Sequence, residues 1–278
     1  QFVERVTTLV KDQGAQPADL RLEVTESGMM DDPEISLKVL NALRDAGFSL
    51  SIDDFGTGYS SLGYLKRFLV GTLKIDQSFV RDMLEDPDDL AILEGVIGLA
   101  AAFRRQVIAE GVETVEHGAM LLQLGCELAQ GYGIARPMPA SDLVAWAAQW
   151  RPDPAWAEVS LLKRDDLPLL FARVEHRAWS NGVESYLRGE RALAPPLDRQ
   201  QSHFGRWLGT EGVARHGQQP YFIGIDTLHR QAHELAVELC ALRVQGQASA
   251  ALDRLGELRK LRDALLEALT GIFRETPS

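Results

Sequence analysis

Residues 1–150 alternate short β-branched runs with amphipathic helical stretches, and this alternation limits the possible folds more than any other feature of the chain. Helical periodicity covers Phe2–Gln13, Asp32–Ala46, Asp88–Arg104, Val115–Leu124 and Ala140–Trp150. Between these lie Leu20–Thr25, Phe48–Asp53, Thr72–Ile75, Gln106–Ala109 and the more polar Glu127–Gly131. Strands separated by helices at this spacing predict a parallel sheet, either an open α/β sheet or a (β/α)8 barrel.

Arg151-Pro152-Asp153-Pro154 interrupts the pattern, as closely spaced prolines do. Helical signals then follow at Asp166–Arg188, Asp198–Leu208, Thr227–Gln245 and Ala250–Thr270. Their apolar stripes have only each other to bury against, which predicts an all-α four-helix bundle. The expected organisation is an α/β domain over 1–150, a linker over 151–157 and a helical domain over 158–278. The chain opens Gln-Phe-Val-Glu, which reads as a fragment. No apolar run reaches membrane-spanning length. Cys126 and Cys240 are the only cysteines among 278 residues, too few for a disulfide framework, and predict a cytoplasmic setting.

Charge is divided unevenly. Residues 1–150 hold 12 Lys and Arg against 23 Asp and Glu, whereas residues 151–278 hold 17 of each kind. An acidic domain repels a nucleic-acid backbone, so duplex binding is not expected, and any phosphate ester handled here needs cations to mediate the contact.

The unusual polar residues cluster where strands end. Glu23 and Glu26 follow the first, Asp53-Asp54 the second, Lys74 and Asp76 the third, Glu110 and Glu113 the fourth, and Gln130 the fifth. A lone acid at a strand end is ordinarily a cap or turn former. Repetition over successive parallel strands is different, because their carboxyl ends share one rim. So many carboxylates around one lysine require compensation, and an all-oxygen ligand set selects Mg²⁺ or Mn²⁺ over zinc.

These residues sit in Leu22-Glu23-Val24-Thr25-Glu26-Ser27, Asp53-Asp54-Phe55-Gly56-Thr57-Gly58-Tyr59-Ser60-Ser61-Leu62, Leu73-Lys74-Ile75-Asp76, Ala109-Glu110-Gly111-Val112-Glu113-Thr114 and Gln130-Gly131-Tyr132. In order and spacing they resemble the later two-thirds of an EAL domain, the bacterial cyclic di-GMP phosphodiesterase family with a modified (β/α)8 barrel. The resemblance implies that Glu23, Asp53, Asp54 and Glu110 ligate two divalent ions. It further implies that Lys74 touches the attacking water and Gln130 holds that water or its metal shell. Glu26 would tether the loop after Asp54, and Glu113 would support the same rim. The implied reaction opens cyclic di-GMP to linear pGpG, and the implied assembly is a homodimer, with Phe55–Ser61 as a loop that closes over ligand. The family's Glu-Ala-Leu strand and a later Asn ligand belong upstream of Phe2. A receptor that binds the dinucleotide without turnover therefore remains as the alternative.

In the helical part, His176, Ser202-His203-Phe204-Gly205-Arg206-Trp207 and His229-x-x-x-His233 are similar in order to the chemoreceptor zinc-binding (CZB) domain, whose ligands are three His and one Cys. The resemblance implies Zn²⁺ ligation by His176, His229 and His233, and a sensory role for the domain. Ser202 stands at the Cys position, which leaves His203 or a water as the fourth ligand and disfavours thiolate chemistry. A zinc-responsive interaction module is the third reading. Trp179, Trp207 and both cysteines read as core residues.

Overall fold

The computed structural model describes residues 2–58 and 62–275, which form two compact units: Gln1–Met83 with Asp88–Leu161, and Leu84–Pro87 with Leu162–Ser278. The first runs α1 (Phe2–Asp12), β1 (Arg21–Thr25), α2 (Glu26–Met30), α3 (Pro33–Asp45), β2 (Ser49–Phe55), α4 (Leu62–Arg67), β3 (Thr72–Ile75), α5 (Gln77–Asp82), α6 (Pro87–Ala102), β4 (Gln106–Ala109), α7 (Val115–Leu124), β5 (Leu128–Ala129), α8 (Ala140–Gln149) and α9 (Pro154–Ala157). Polar side chains start the helices that follow strands. Thr25 accepts from Gly28 N–H at 3.3 Å, Asp32 from Ile35 N–H at 3.1 Å and Thr114 from His117 N–H at 3.1 Å, each satisfying a donor the helix cannot.

The sheet is parallel throughout, in the order β1-β2-β3-β4-β5; the alternation predicts such a sheet, and the family resemblance implies that it is part of a (β/α)8 barrel. Register sorts its residues onto two faces. Leu22, Val24, Leu50, Ile52, Leu73, Ile75, Val107, Ala109 and Ala129 share one face through the pairs Leu22↔Leu50, Ile52↔Leu73, Leu73↔Val107 and Ala109↔Ala129. The other carries Glu23, Ser51, Asp53, Thr72 and Lys74 through Glu23↔Ser51 and Ser51↔Thr72. One face is thus an apolar floor and the other holds the ionisable groups. Central β3 is buried along its whole length, so Lys74 lies in the interior at 5% exposure.

Two expectations need correction here. The fifth strand spans only Leu128–Ala129 rather than Glu127–Gly131, because its polar flanks leave the ladder to form the rim. The expected linker 151–157 includes helix α9, capped by Asp153. Trp156 Nε1 donates to the Val115 carbonyl at 2.8 Å, and its indole lies where Gly118 lacks a Cβ. A half-buried indole with a satisfied N–H ties this segment to the first unit.

The second unit contains α10 (Leu167–Arg188), α11 (His203–Trp207), a π turn at Leu208–Gly212, α12 (Val213–His216), α13 (Pro220–Val244), α14 (Ala248–Asp253) and α15 (Leu255–Glu275). Its bundle comprises three long helices and a broken shorter segment, α11–α12. Helix α13 starts seven residues before the expected Thr227, at Pro220, where proline's fixed φ suits a first helical position. Two apolar cores stack along the bundle. Leu169, Ala172, Phe204, Trp207, Phe222, Ile225 and Leu269 make one; Val183, Leu187, Ala232, Leu239, Cys240 and Leu258 make the other. Along α10 His176 falls between these cores, and along α13 His229 does, with His233 one turn further on beside Ala232. Among the described residues no helix is long and apolar enough to cross a membrane.

Candidate metal centres

The acidic rim is built by a break in strand regularity. Alternation alone would send Asp53 and Asp54 to opposite faces. The ladder instead runs Ile52↔Leu73 and then Phe55↔Ile75, so β2 carries one surplus residue. Asp54 takes it up at φ +53°, a left-handed conformation that Asp tolerates better than most residues. The bulge returns Phe55 to the apolar floor and lets Asp53, Asp54 and Glu110 bring carboxylate oxygens within 4.8 Å of one another.

Lys74 is the hub. Its Nζ lies 2.7 Å from Glu23 Oε2, 2.8 Å from Asp53 Oδ1 and 2.6 Å from Glu110 Oε1, joining β1, β2 and the end of β4 across β3. Burial alone would lower its pKa, but the hydrogen bonds it donates to Asp53, Glu110 and Glu23 outweigh burial and raise it. Gln130 Nε2 donates to Glu110 Oε1 at 2.6 Å. The loops bearing these two residues interlock, since Val112 N–H donates to the Gln130 carbonyl and Gly133 N–H to that of Val112. A Cβ on Gly131 would meet Val112 backbone atoms at 2.3 Å, so only glycine fits.

One ammonium does not neutralise this cluster. Glu110 is shifted upward, first by burial and then by Asp53 and Glu23 against the pull of Lys74. Asp54 is raised by burial, by Asp53 and by Asp76. Asp76 also caps α5 through Ser78 N–H at 2.8 Å. Sequence reasoning placed it at the strand end but gave it no role at the site; its position directly after Lys74-Ile75 was the signal. Crowded carboxylate oxygens of elevated pKa fit hard divalent cations, which would relieve the repulsion.

Glu26 performs a different task. At 1% exposure it accepts from Gly56 N–H at 2.8 Å and Gly58 N–H at 3.2 Å, fastening the chain after β2 to the start of α2. Tyr59, Ser60 and Ser61, part of the expected closing loop, lie outside the described residues. Glu113 is exposed. Its backbone N–H donates to His117 Nδ1 at 3.4 Å, and its charge opposes the burial that lowers the His117 pKa. The Glu-Ala-Leu tripeptide does occur once, at Glu267–Leu269, but on α15, where Leu269 is core.

The second cluster is nitrogenous and buried. His176, His229 and His233 are buried at 4%, 1% and 5% exposure and offer ligand atoms within 4.8 Å of one another. His229 and His233 share a face of α13 by i, i+4 spacing. Burial pushes the pKa of His176 down to about 3 and that of His229 to about 2, with neighbouring histidines adding to both shifts. Their rings are therefore neutral near pH 7. Among the described residues His176 Nε2 and His229 Nδ1 have no hydrogen-bond partner, a deficit of about 1–3 kcal/mol per group. His233 Nδ1 meets the Leu197 carbonyl at 2.8 Å, an outer contact that fixes the ring and turns the other nitrogen into a ligand. Orphaned, neutral imidazoles fit a nitrogen-binding cation such as zinc. His203 does not join them: it is exposed, and its backbone N–H is held by Glu175 Oε1 at 2.9 Å, which starts α11 and leaves the ring outside the bundle.

Comparisons with known proteins bear on the first unit. Residues 1–137 match the family model described as EAL domain. Over 147 residues the chain is 44% identical to the bifunctional diguanylate cyclase/cyclic di-GMP phosphodiesterase MucR of Pseudomonas aeruginosa, covering 53% of this chain and 22% of that protein. The chain thus spans about a fifth of such curated relatives. A structure of the PaMucR phosphodiesterase in complex with c-di-GMP is 44% identical, with a TM-score of 0.50 over 51% of this chain and 57% of that one. The EAL domain of Mycobacterium smegmatis DcpA is 43% identical, with a TM-score of 0.50 over 54% of this chain and 67% of that one.

Proposed function

Residues 1–137 of this chain belong to the EAL domain family, and from that membership we propose that the first unit serves metal-dependent hydrolysis of cyclic di-GMP to linear pGpG. The observation that carries the reading is the Lys74 hub, where three carboxylates from separate strands converge at 2.6–2.8 Å. Glu23, Asp53, Asp54 and Glu110 would hold two Mg²⁺ or Mn²⁺ ions. Such ions lower the pKa of water and neutralise charge on a phosphodiester undergoing displacement. Lys74, kept an ammonium by its neighbours, donates hydrogen bonds and orients the attacking water. Gln130 fixes the free rotation of Glu110, and Glu26 holds the backbone after Asp54 in the shape that presents both aspartates.

The second unit, in this reading, is a regulatory domain of CZB type that binds zinc through His176, His229 and His233. The orphaned His176 and His229 nitrogens support it. A cytoplasmic setting agrees with two free, buried cysteines, and the assembly we assign is a homodimer.

The test is Mn²⁺-dependent conversion of cyclic di-GMP by the chain, beside Glu23→Ala and Asp53→Ala. Product formation abolished by either substitution is the expected result, and turnover surviving both would refute the metal-centred reading. A second reading is a receptor that binds the dinucleotide through the same rim without turnover. Dinucleotide binding with no linear product would select it.

A further inference from the structure

The histidine cluster is one donor short of a tetrahedron. Closed zinc sites take four protein ligands, and three imidazoles converge here. The adjoining loop does not complete the set. Ser202 Oγ accepts Gly205 N–H at 2.9 Å and donates to the Arg199 carbonyl at 3.0 Å, so using it as a ligand would uncap α11. The loop is pinned in this arrangement, because any Cβ at Gly205 would fall on the Arg199 carbonyl. His203 is exposed. Cys240 belongs to the apolar core beyond the histidines.

Charge sharpens the deficit. Neutral imidazoles leave a buried divalent cation with its whole charge, which costs heavily in a dry interior unless an anion accompanies it. Trp179 stacks on His233 at 4.0 Å and Phe204 stands edge-on to His229 at 5.1 Å, surroundings that suit a small, weakly hydrated ion. A hydroxyl without a partner is also present: Ser180 lies one turn beyond His176 on the same face of α10, buried at 5% exposure, with its Oγ unbonded.

We propose that the three-histidine site holds its cation with an open fourth position, which takes a small monovalent anion from solution. This rests on the zinc reading of His176, His229 and His233 given above. The second unit then responds to an exchangeable anion rather than to oxidation of a thiolate.

Full chain stripped by chelation and reloaded with Co²⁺ is titrated with azide while its visible spectrum is recorded. Octahedral cobalt among carboxylates absorbs weakly, so an intense band reports the histidine site, and His229→Ala identifies it by its loss. The expected result is a band that shifts saturably with azide and is unchanged, shift included, in Ser202→Ala. A band that azide does not move, or that Ser202→Ala alters, overturns the open position while leaving the cation reading intact. Absence of any His229-dependent band overturns the cation reading and the open position together.

Discussion

Each unit gathers polar side chains at one place, but the two are incomplete in opposite senses. Around Lys74 the excess is negative charge: Glu23, Asp53 and Glu110 share one ammonium, with Asp54 beside them. In the bundle the cluster consists of buried imidazoles, and His176 Nε2 and His229 Nδ1 lack hydrogen-bond partners among the described residues. The first deficit is Coulombic and draws hard ions through oxygen. The second is one of lost solvation and draws a borderline ion through nitrogen. A molecule can therefore keep two cation sites chemically apart without selecting between metals at either one by size alone.

The largest expected effect separates them by ligand. Zinc at a thousandfold excess over its dissociation constant should stabilise the second unit by about 4 kcal/mol. Hydrogen exchange in α13 reads this, and His229→Ala should remove it while exchange in β3 is unaffected by either change. Equal protection of both units by zinc would erase the distinction. Next is Lys74→Met, which strips the acidic cluster of its buried counter-charge and should cost the first unit about 3 kcal/mol in urea unfolding. A loss below about 1 kcal/mol, the range of surface pairs, would mean that the hub is effectively solvated.

Acidification should act on the two units with opposite sign. In metal-free protein, His176 and His229 have folded pKa values of about 3 and 2, far below the unfolded value of about 6.5. Their contribution is present above the unfolded value and is lost as pH falls below it, by about 2 kcal/mol for the pair between pH 6 and 5. Asp54 and Glu110 are shifted upward, so protonation relieves the folded state of the first unit and stability there rises as pH drops toward the unfolded carboxylate values. Protection factors of α13 and β3, relative to intrinsic exchange at each pH, that moved together between pH 7 and 5 would contradict this. The smallest effect is that of Asp54→Asn, which removes one repulsive charge at a left-handed position that Asn accepts. It should stabilise the metal-free first unit by about 0.5 kcal/mol while weakening Mn²⁺ binding measured by calorimetry. Tighter binding would exclude Asp54 from the ligand set.

Much of this was legible in the sequence, for reasons that differ by element. Thr72–Ile75 and Gln106–Ala109 coincide with β3 and β4, since β-branched runs between helices leave few other options. The five-residue α2 and six-residue α5 are too short to show a period and exist through their caps at Thr25 and Asp76. The 151–157 segment looked like a spacer because proline dominates it, yet Trp156 decides its fate through one hydrogen bond and one glycine. His203 resembled a ligand by adjacency to Ser202, but position in a sequence does not show which side of a capped turn faces the interior. Nor could the left-handed Asp54 be foreseen, since the pairing that makes it surplus belongs to the neighbouring strand.

That surplus residue makes the acidic rim a matter of chain length. Exchanging Asp for Glu at either place merely lengthens an arm, and selection can tune such arms gradually. Deleting Asp53 or Asp54 would put β2 back in step with β3 and leave a single acid where the rim now has two. Descendants of this sheet can therefore drift widely in composition, whereas an in-frame loss of three nucleotides at that point would end the site in a single event.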